Sequence, residues 1–342
     1  MKWRVAINGY GRIGQSILRA LYQSELRGCI EIVAINELAD VDTIAYLTKY
    51  DTTHGRFRYP VAVDDDALLI DRDRISVSHF QDLDKLPWRE SDVDVVFECT
   101  GEFSSRESGQ AHIDAGARFV LFSQPGDNTL DNTIVYGVNH STLTANDTVV
   151  SNASCTTNAI VPVLQMLDEN FGIVSGSMTT IHSAMNDQPT IDAYHHKDLR
   201  RTRSAMANMV PVETALAKGV ERLLPNMQGK LTAVAMRVPT INVSAIDLTV
   251  VLKEAVTAET VNAVLSKGSA ARYQGVLAYT EEPIASSDFI QDHHSSTVDG
   301  SQTRVSQKNL VKVLVWFDNE WGFANRMLEV SRYWCGQFLK DK

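Results

Sequence analysis

Apolar and polar positions along the first 150 residues alternate between two periods. Short β-type runs at Trp3-Arg4-Val5-Ala6-Ile7, Ile30-Glu31-Ile32-Val33-Ala34-Ile35, residues 93–99 and Phe119-Val120-Leu121-Phe122 read as buried strands. Between them apolar residues fall three and four apart: Ile13, Ile17, Leu18 and Leu21 first, then 41–50 and 106–115. Strand and helix alternating in this way predict a Rossmann-type doubly wound, mostly parallel sheet. Residues 133–137 read as a further strand, and 59–77, broken by the acidic turns 64–66 and 71–73, as a short antiparallel excursion. From Ser175 the strands lengthen, at 175–183, 231–238, 241–252 and 310–316, with helices near 213–224 and 258–266. Those patterns predict a second, α+β domain with a mostly antiparallel sheet. The expected division is 1–154, 155–318 and a C-terminal helical stretch, 319–342, packing back on the first domain.

Two segments add chemistry to that frame. The first is Asn8-Gly9-Tyr10-Gly11-Arg12-Ile13-Gly14, a G-x-G-x-x-G turn between a strand and a helix, which is the dinucleotide fingerprint. Gly9 permits the tight turn, Gly11 lets a pyrophosphate approach the backbone, and Gly14 lets helix and strand pack closely. The diphosphate then rests on the helix N-terminus. Glu37 closes the next strand 23 residues after Gly14, near the expected offset for a carboxylate that binds ribose hydroxyls. It would repel a 2′-phosphate, so NAD is expected rather than NADP.

The second segment is Ser151-Asn152-Ala153-Ser154-Cys155-Thr156-Thr157-Asn158, followed by apolar residues at helical spacing. A thiol at a helix N-terminus meets unpaired N–H groups and the positive end of the macrodipole, which favour thiolate. Its small neighbours admit a substrate carbon, and the N–H groups can hold a developing oxyanion. The segment also falls at the expected domain boundary, a usual place for an active site.

Composition narrows the class. The 342 residues are 44% hydrophobic, enough for two cores, and carry a net charge of −10, which argues against nucleic acid as a main partner. No apolar run approaches the ~18 residues of a membrane span, and the first residues read as a strand rather than a signal peptide. Cys29, Cys99, Cys155 and Cys335 lack C-x-x-C spacing, so reduced thiols in cytoplasm are expected. No clustered Cys/His set stands out, and no metal is expected.

From end to end the chain resembles the glyceraldehyde-3-phosphate dehydrogenase family. The likeness is carried by residues 8–14, Lys49-Tyr50-Asp51-Thr52-Thr53-His54-Gly55, the core at 154–158 and Thr179-Thr180-Ile181-His182-Ser183. It continues through Asp198-Leu199-Arg200-Arg201-Thr202-Arg203, Met236-Arg237-Val238-Pro239-Thr240 and Asp318-Asn319-Glu320-Trp321-Gly322. The resemblance implies an NAD-dependent oxidation of a small phosphorylated aldehyde through a thioester, in a homotetramer. It makes Cys155 the nucleophile and His182 the base. Arg201 and Arg237 match phosphate ligands, while Ser154, Thr156, Thr214 and Ala215 line the substrate site. Asn319 matches the residue that holds the nicotinamide carboxamide. Thr100 and Ser123, at strand ends, should lie along the cofactor with Arg12 and Ile13, and Gln81 matches a position on the adenine side. Arg200 and Arg203 are expected to be structural or interfacial.

Some positions depart from the glycolytic pattern. Met185 stands where threonine is general, Ala215 where glycine is general near the site for inorganic phosphate, and Glu37 where aspartate is usual. Residues 36–40, 122–126 and 182–185 resemble the branch of the family that oxidises D-erythrose 4-phosphate to 4-phosphoerythronate. There water resolves the thioester, on a route to pyridoxal 5′-phosphate. The glycolytic reaction is the alternative, and a non-catalytic dinucleotide-binding scaffold a remote one.

Overall fold

The computed structural model describes residues 2–195 and 198–339, which divide into two compact units. The first comprises Met1–Ser154 with Phe323–Lys342, the second Cys155–Gly322.

In the first unit, β1 (Trp3–Asn8), α1 (Arg12–Tyr22), β2 (Ile30–Asn36) and α2 (Val41–Lys49) follow the strand–helix alternation of the sequence. A small hairpin, β3 (Tyr50–Asp51) and β4 (Gly55–Arg56), precedes β5 (Val61–Val63), β6 (Ala67–Ile70) and β7 (Asp73–Ser78). The remainder is β8 (Val95–Glu98), α3 (Arg106–Asp114), β9 (Phe119–Phe122), β10 (Asn132–Thr133) and β11 (Val149–Ser151). Nine of these strands form one sheet in the order β10-β11-β9-β8-β1-β2-β7-β6-β5. The expected excursion is antiparallel from β5 to β7, but β7 then pairs parallel with β2, so it extends the main sheet. Of residues 133–137 only the first is in a strand.

Chain order reverses at β1, which lies between β2 and β8. The C-terminal ends of these three strands are level, with Asn8 opposite both Asn36 and Glu98. A crevice at such a switch point is where doubly wound sheets bind ligands. The strands are buried throughout their middles, and the fully buried Trp88 packs with Val93, Val96 and Ala6 on one face.

The second unit opens with α4 (Cys155–Phe171), continues into β12 (Ile173–His182) and β13 (Val210–Val212), and then α5 (Leu216–Leu223). It is completed by β14 (Leu231–Arg237), β15 (Ser244–Leu252), α6 (Ala258–Ala270), β16 (Leu277–Thr280), β17 (Ser296–Ser306) and β18 (Leu310–Phe317). A last helix, α7 (Trp321–Phe338), begins here and runs into the first unit, where Trp334 stacks on Phe119 at 4.3 Å between ring centroids. The seven-stranded sheet is mixed, with β12–β14 and β16–β17 parallel and the other joints antiparallel.

Strand β17 is absent from the sequence pattern because it is polar, Ser-Thr-Val-Asp-Gly-Ser-Gln-Thr-Arg-Val-Ser. Two of its buried polar side chains are tied to neighbouring elements by side-chain bonds. Ser296 donates to the Ala159 carbonyl of α4 at 2.7 Å, and Trp316 Nε1 donates to the Asp299 carboxylate at 3.2 Å. Helix α4 buries Ile160, Val163, Leu164 and Leu167 completely, each worth about 1.5–3 kcal/mol on burial, so its first residue is held on a packed scaffold.

The glycines of the fingerprint answer to space as expected. Gly9 has φ +88° and its absent Cβ would lie 2.6 Å from Thr100 N, while a Cβ on Gly14 would lie 2.5 Å from the Gly9 carbonyl oxygen. Neither obstacle is a side chain that can turn away. Gly14→Ala should therefore destabilise the protein by about 1–3 kcal/mol, as overpacking does, and lower its urea midpoint. An unchanged midpoint would show that α1 can lift from β1 at no cost.

Candidate active site

The cofactor cradle is built at the C-terminal ends of β1, β2 and β8. A cavity of about 230 Å³ there is lined by Asn8, Gly9, Gly11, Asn36, Glu37, Leu38, Phe80, Gln81, Cys99, Thr100, Glu102 and Phe103. A Cβ on Gly11 would meet nothing within 4 Å, so open space lies beside the backbone where a pyrophosphate is expected. Helix α1 has no side-chain cap and no acidic residue in its first turn, which leaves its terminus suited to an anion. Glu37 is fixed at the wall, because its carboxylate accepts the N–H groups of Tyr10 and Leu38, each at 2.7 Å. Of the residues expected along the cofactor, Gly9, Gly11, Glu37, Gln81 and Thr100 line this cavity. Arg12, Ile13, Gly14 and Ser123 are not among its walls. Gly14 acts beneath Gly9, and Arg12 reaches the Asp51 carboxylate.

Asn8, Asn36 and Glu98 brace this cavity, and motif reading gave them no role. Glu98 is fully buried, and its carboxylate accepts Asn8 Nδ2 at 2.6 Å, Thr100 N at 2.8 Å, Thr100 Oγ1 at 2.5 Å and His112 Nε2 at 3.0 Å. Trp88 Nε1 donates to His112 Nδ1 at 3.0 Å, which puts the imidazole proton on the Glu98 side. Asn36 Nδ2 donates to Asn8 Oδ1 at 2.8 Å. One buried network thus holds both the glycine turn and Thr100. The signal in the sequence was a polar residue closing each of three apolar strands.

The two residues expected to react lie in the second unit. Cys155 is the first residue of α4, and its Sγ is 3.9 Å from Nε2 of His182, the last residue of β12. His182 Nδ1 is 2.8 Å from its own neighbour's carbonyl, Ser183 O. A carbonyl only accepts, so Nδ1 carries the proton and Nε2 presents a lone pair to the thiol. That tautomer suits a base. The backbone N–H groups of Thr156 and Cys155 favour thiolate, as the helix position implies, but burial outweighs them and pushes the thiol up to about 11. Burial also lowers His182, with the Arg237 charge acting the same way. Each group alone resists charging. Moving the proton from Sγ to Nε2 charges both together and lets each stabilise the other.

Arg237 ends β14 directly opposite His182 in the parallel register. Its guanidinium donates to Asp187 through Nη1 at 2.5 Å and Nη2 at 3.1 Å, and Arg201 Nη1 donates to the same carboxylate at 2.9 Å. The two expected phosphate ligands are thereby joined by an acid that motif reading passed over. Arg203 pairs with Asp192 on the surface, as a structural residue would, and Arg200 is exposed. Met185 Sδ lies 3.5 Å from Arg237 Nη2.

Asn319 is set between β18 and α7. Asp318 caps that helix by accepting the N–H groups of Glu320 and Trp321. Asn319 Oδ1 accepts the hydroxyls of Ser183 at 3.0 Å and Ser244 at 2.8 Å, which turns its amide nitrogen away from them. Thr214 Oγ1 accepts Leu216 N at 3.2 Å at the start of α5, and Ala215 is exposed beside it. One group of metal-ligand type does occur, Asp292, His293 and His294, with ligand atoms within 4.8 Å of one another. Its carboxylate is already engaged by His294 Nδ1 at 2.7 Å and Thr297 Oγ1 at 2.7 Å.

The profile of the NAD-binding domain of glyceraldehyde 3-phosphate dehydrogenase matches residues 3–106, and that of the same enzyme's C-terminal domain matches residues 154–319. The chain belongs to the glyceraldehyde-3-phosphate dehydrogenase family. It is an NAD-dependent oxidoreductase of that family. Among the described residues no helix is long and apolar enough to cross a membrane.

The pairing at Cys155 makes a direct prediction for this family member. With His182→Asn the thiol loses its proton acceptor and must ionise alone, against the burial that sets it near 11. The pH at which iodoacetamide alkylates Cys155 should rise, and acylation should slow by ~10²–10⁴-fold. An alkylation profile identical to wild type would mean that the helix terminus alone sets the thiolate population.

Proposed function

We propose that the chain oxidises D-erythrose 4-phosphate to 4-phospho-D-erythronate, a step toward pyridoxal 5′-phosphate, with water resolving the thioester. The observation that carries the chemistry is the imidazole lone pair facing the Cys155 sulfur. An aldehyde carbon gives up hydride only once it is tetrahedral, so a nucleophile must add first. Cys155 Sγ attacks that carbon while its proton passes to His182 Nε2, which returns it to the new alkoxide to give a hemithioacetal and is again free to act as a base. The nicotinamide, when bound, supplies the two-electron acceptor. His182 takes the hemithioacetal hydroxyl proton as the carbon becomes a thioester, and N–H groups at the start of α4 hold the developing oxyanion. Water then adds to the thioester carbon, the C–S bond breaks, and the thiol recovers a proton.

The remaining assignments follow the family. Arg201 and Arg237 hold the phosphate, Ser154, Thr156, Thr214 and Ala215 line the substrate, and Asn319 holds the carboxamide. In this reading residues 1–154 serve the cofactor, 155–318 serve the chemistry, and 319–342 complete the first domain. The protein works as a cytoplasmic homotetramer. Four free cysteines support a reducing compartment.

Met185 supports the erythrose reading over the glycolytic one. A thioether accepts weakly and donates nothing, so it gives an anion beside Arg237 less than a threonine hydroxyl would. Ala215 adds a methyl where glycine would leave backbone open.

Two experiments test the proposal. Cys155→Ala should abolish oxidation while NAD still binds by calorimetry, and near-normal activity in that variant would end the covalent mechanism. A panel of erythrose 4-phosphate and glyceraldehyde 3-phosphate, each with and without inorganic phosphate, addresses the acceptor. Erythrose 4-phosphate should be preferred, phosphate should scarcely accelerate it, and the product should be a free carboxylate. Met185→Thr combined with Ala215→Gly should raise phosphate-dependent turnover. A wild-type requirement for phosphate with release of a labile acyl phosphate establishes the glycolytic reaction instead.

A further inference from the structure

Both expected phosphate ligands already hold an anion, and it belongs to the chain. Asp187 takes the two Nη groups of Arg237 and one of Arg201. Arg237 is otherwise shut in, with 7% of its side chain exposed and only Met185 Sδ as a further acceptor among the described residues. The Arg201 Nε is buried without a hydrogen bond, 3.6 Å from Asp198. Asp187 itself is 39% exposed and stands on an irregular segment after β12, so it is the partner best able to move.

We propose that Asp187 is a positioning and specificity-determining residue that stands in for the substrate phosphate on Arg237 and Arg201 and must yield to it. The inference rests on the reading of these arginines as phosphate ligands. A carboxylate presents two oxygens and one negative charge to the cluster. A phosphate monoester presents three oxygens and nearly two charges, and so gains more charge-assisted bonds from the same guanidinium groups. Exchanging Asp187 for a phosphate is favourable on that account. Exchanging it for a monoanionic carboxylate replaces like with like and gains nothing. The internal acid therefore raises the threshold for entry and admits dianions in preference to monoanions. The two arginine charges act in the same direction on Asp187, overcoming its partial burial and keeping its carboxyl below the usual range, so the stand-in is present throughout the neutral pH range.

The test is steady-state kinetics at fixed ionic strength, which holds screening constant. Erythrose 4-phosphate is the varied substrate, and sulfate and acetate are the competing anions. In Asp187→Asn and Asp187→Ala the sulfate inhibition constant and the aldehyde KM should each fall by about 2- to 5-fold, the range for removing one partly exposed charge partner. Acetate should inhibit wild type poorly and become a measurable inhibitor of the variants. The kcat should change far less than KM, since the Asp187 charge is the smallest of the effects acting on His182, and a structural lesion would lower it. A rise in KM and in the sulfate constant in both variants overturns the inference, because Asp187 would then only align the arginines. No change in either constant overturns it as well. Arg237→Ala separates this failure from that of the underlying reading. If Arg237→Ala weakens aldehyde binding while the Asp187 variants fail to tighten it, the stand-in role alone is lost. If Arg237→Ala leaves KM unaltered, both are lost.

Discussion

Desolvation where α4 begins and β12 ends sets the terms for the chemistry of this chain. A half-buried sulfur and a buried imidazole are each shielded from water, which disfavours thiolate and imidazolium separately. They are left 3.9 Å apart with the imidazole lone pair toward the sulfur, so the only low-cost way to charge either is to charge both. Everything around the pair preserves that geometry. Helix α4 is pinned by its buried apolar face and by Ser296 on the Ala159 carbonyl. Strand β12 is central in its sheet, paired along its length with β14 and β15. The Ser183 carbonyl fixes the tautomer.

The same sheet solves a second electrostatic problem. In the proposed reaction, a protein with a net charge of −10 must still receive a phosphorylated substrate. Parallel pairing of β12 and β14 brings His182 and Arg237 level, and the loop beyond β12 returns Asp187 to meet Arg237 and Arg201. Positive charge is therefore concentrated locally and balanced locally. The acid that balances it is partly exposed rather than buried, which is what the proposed exchange requires.

Much of this was legible in the sequence where function and local geometry coincide. The glycine turn between β1 and α1 must be glycine because Gly9 and Gly14 face backbone at under 3 Å, so the need is written in residue type. The start of α4 was legible from small polar residues ahead of an apolar run. Strand β17 was hidden because its composition is polar, and bonds in which Ser296 donates to Ala159 and Asp299 accepts from Trp316 help tie it down. Glu98 and Asp187 were hidden for a related reason. Each acts through partners distant in sequence, Asn8 and His112 for one and Arg237 for the other, and no spacing along the chain records such a meeting.

The central claim is that oxidation proceeds through a covalent bond to Cys155, formed once the thiol proton has passed to His182. Rapid mixing of the NAD-loaded protein with erythrose 4-phosphate, quenched in acid and read by mass spectrometry of its peptides, tests it most directly. An acyl adduct should form on the peptide containing Cys155, appearing with a burst of NADH of about one per active site and decaying at the rate of turnover. NADH production at full rate with that peptide unmodified would contradict it.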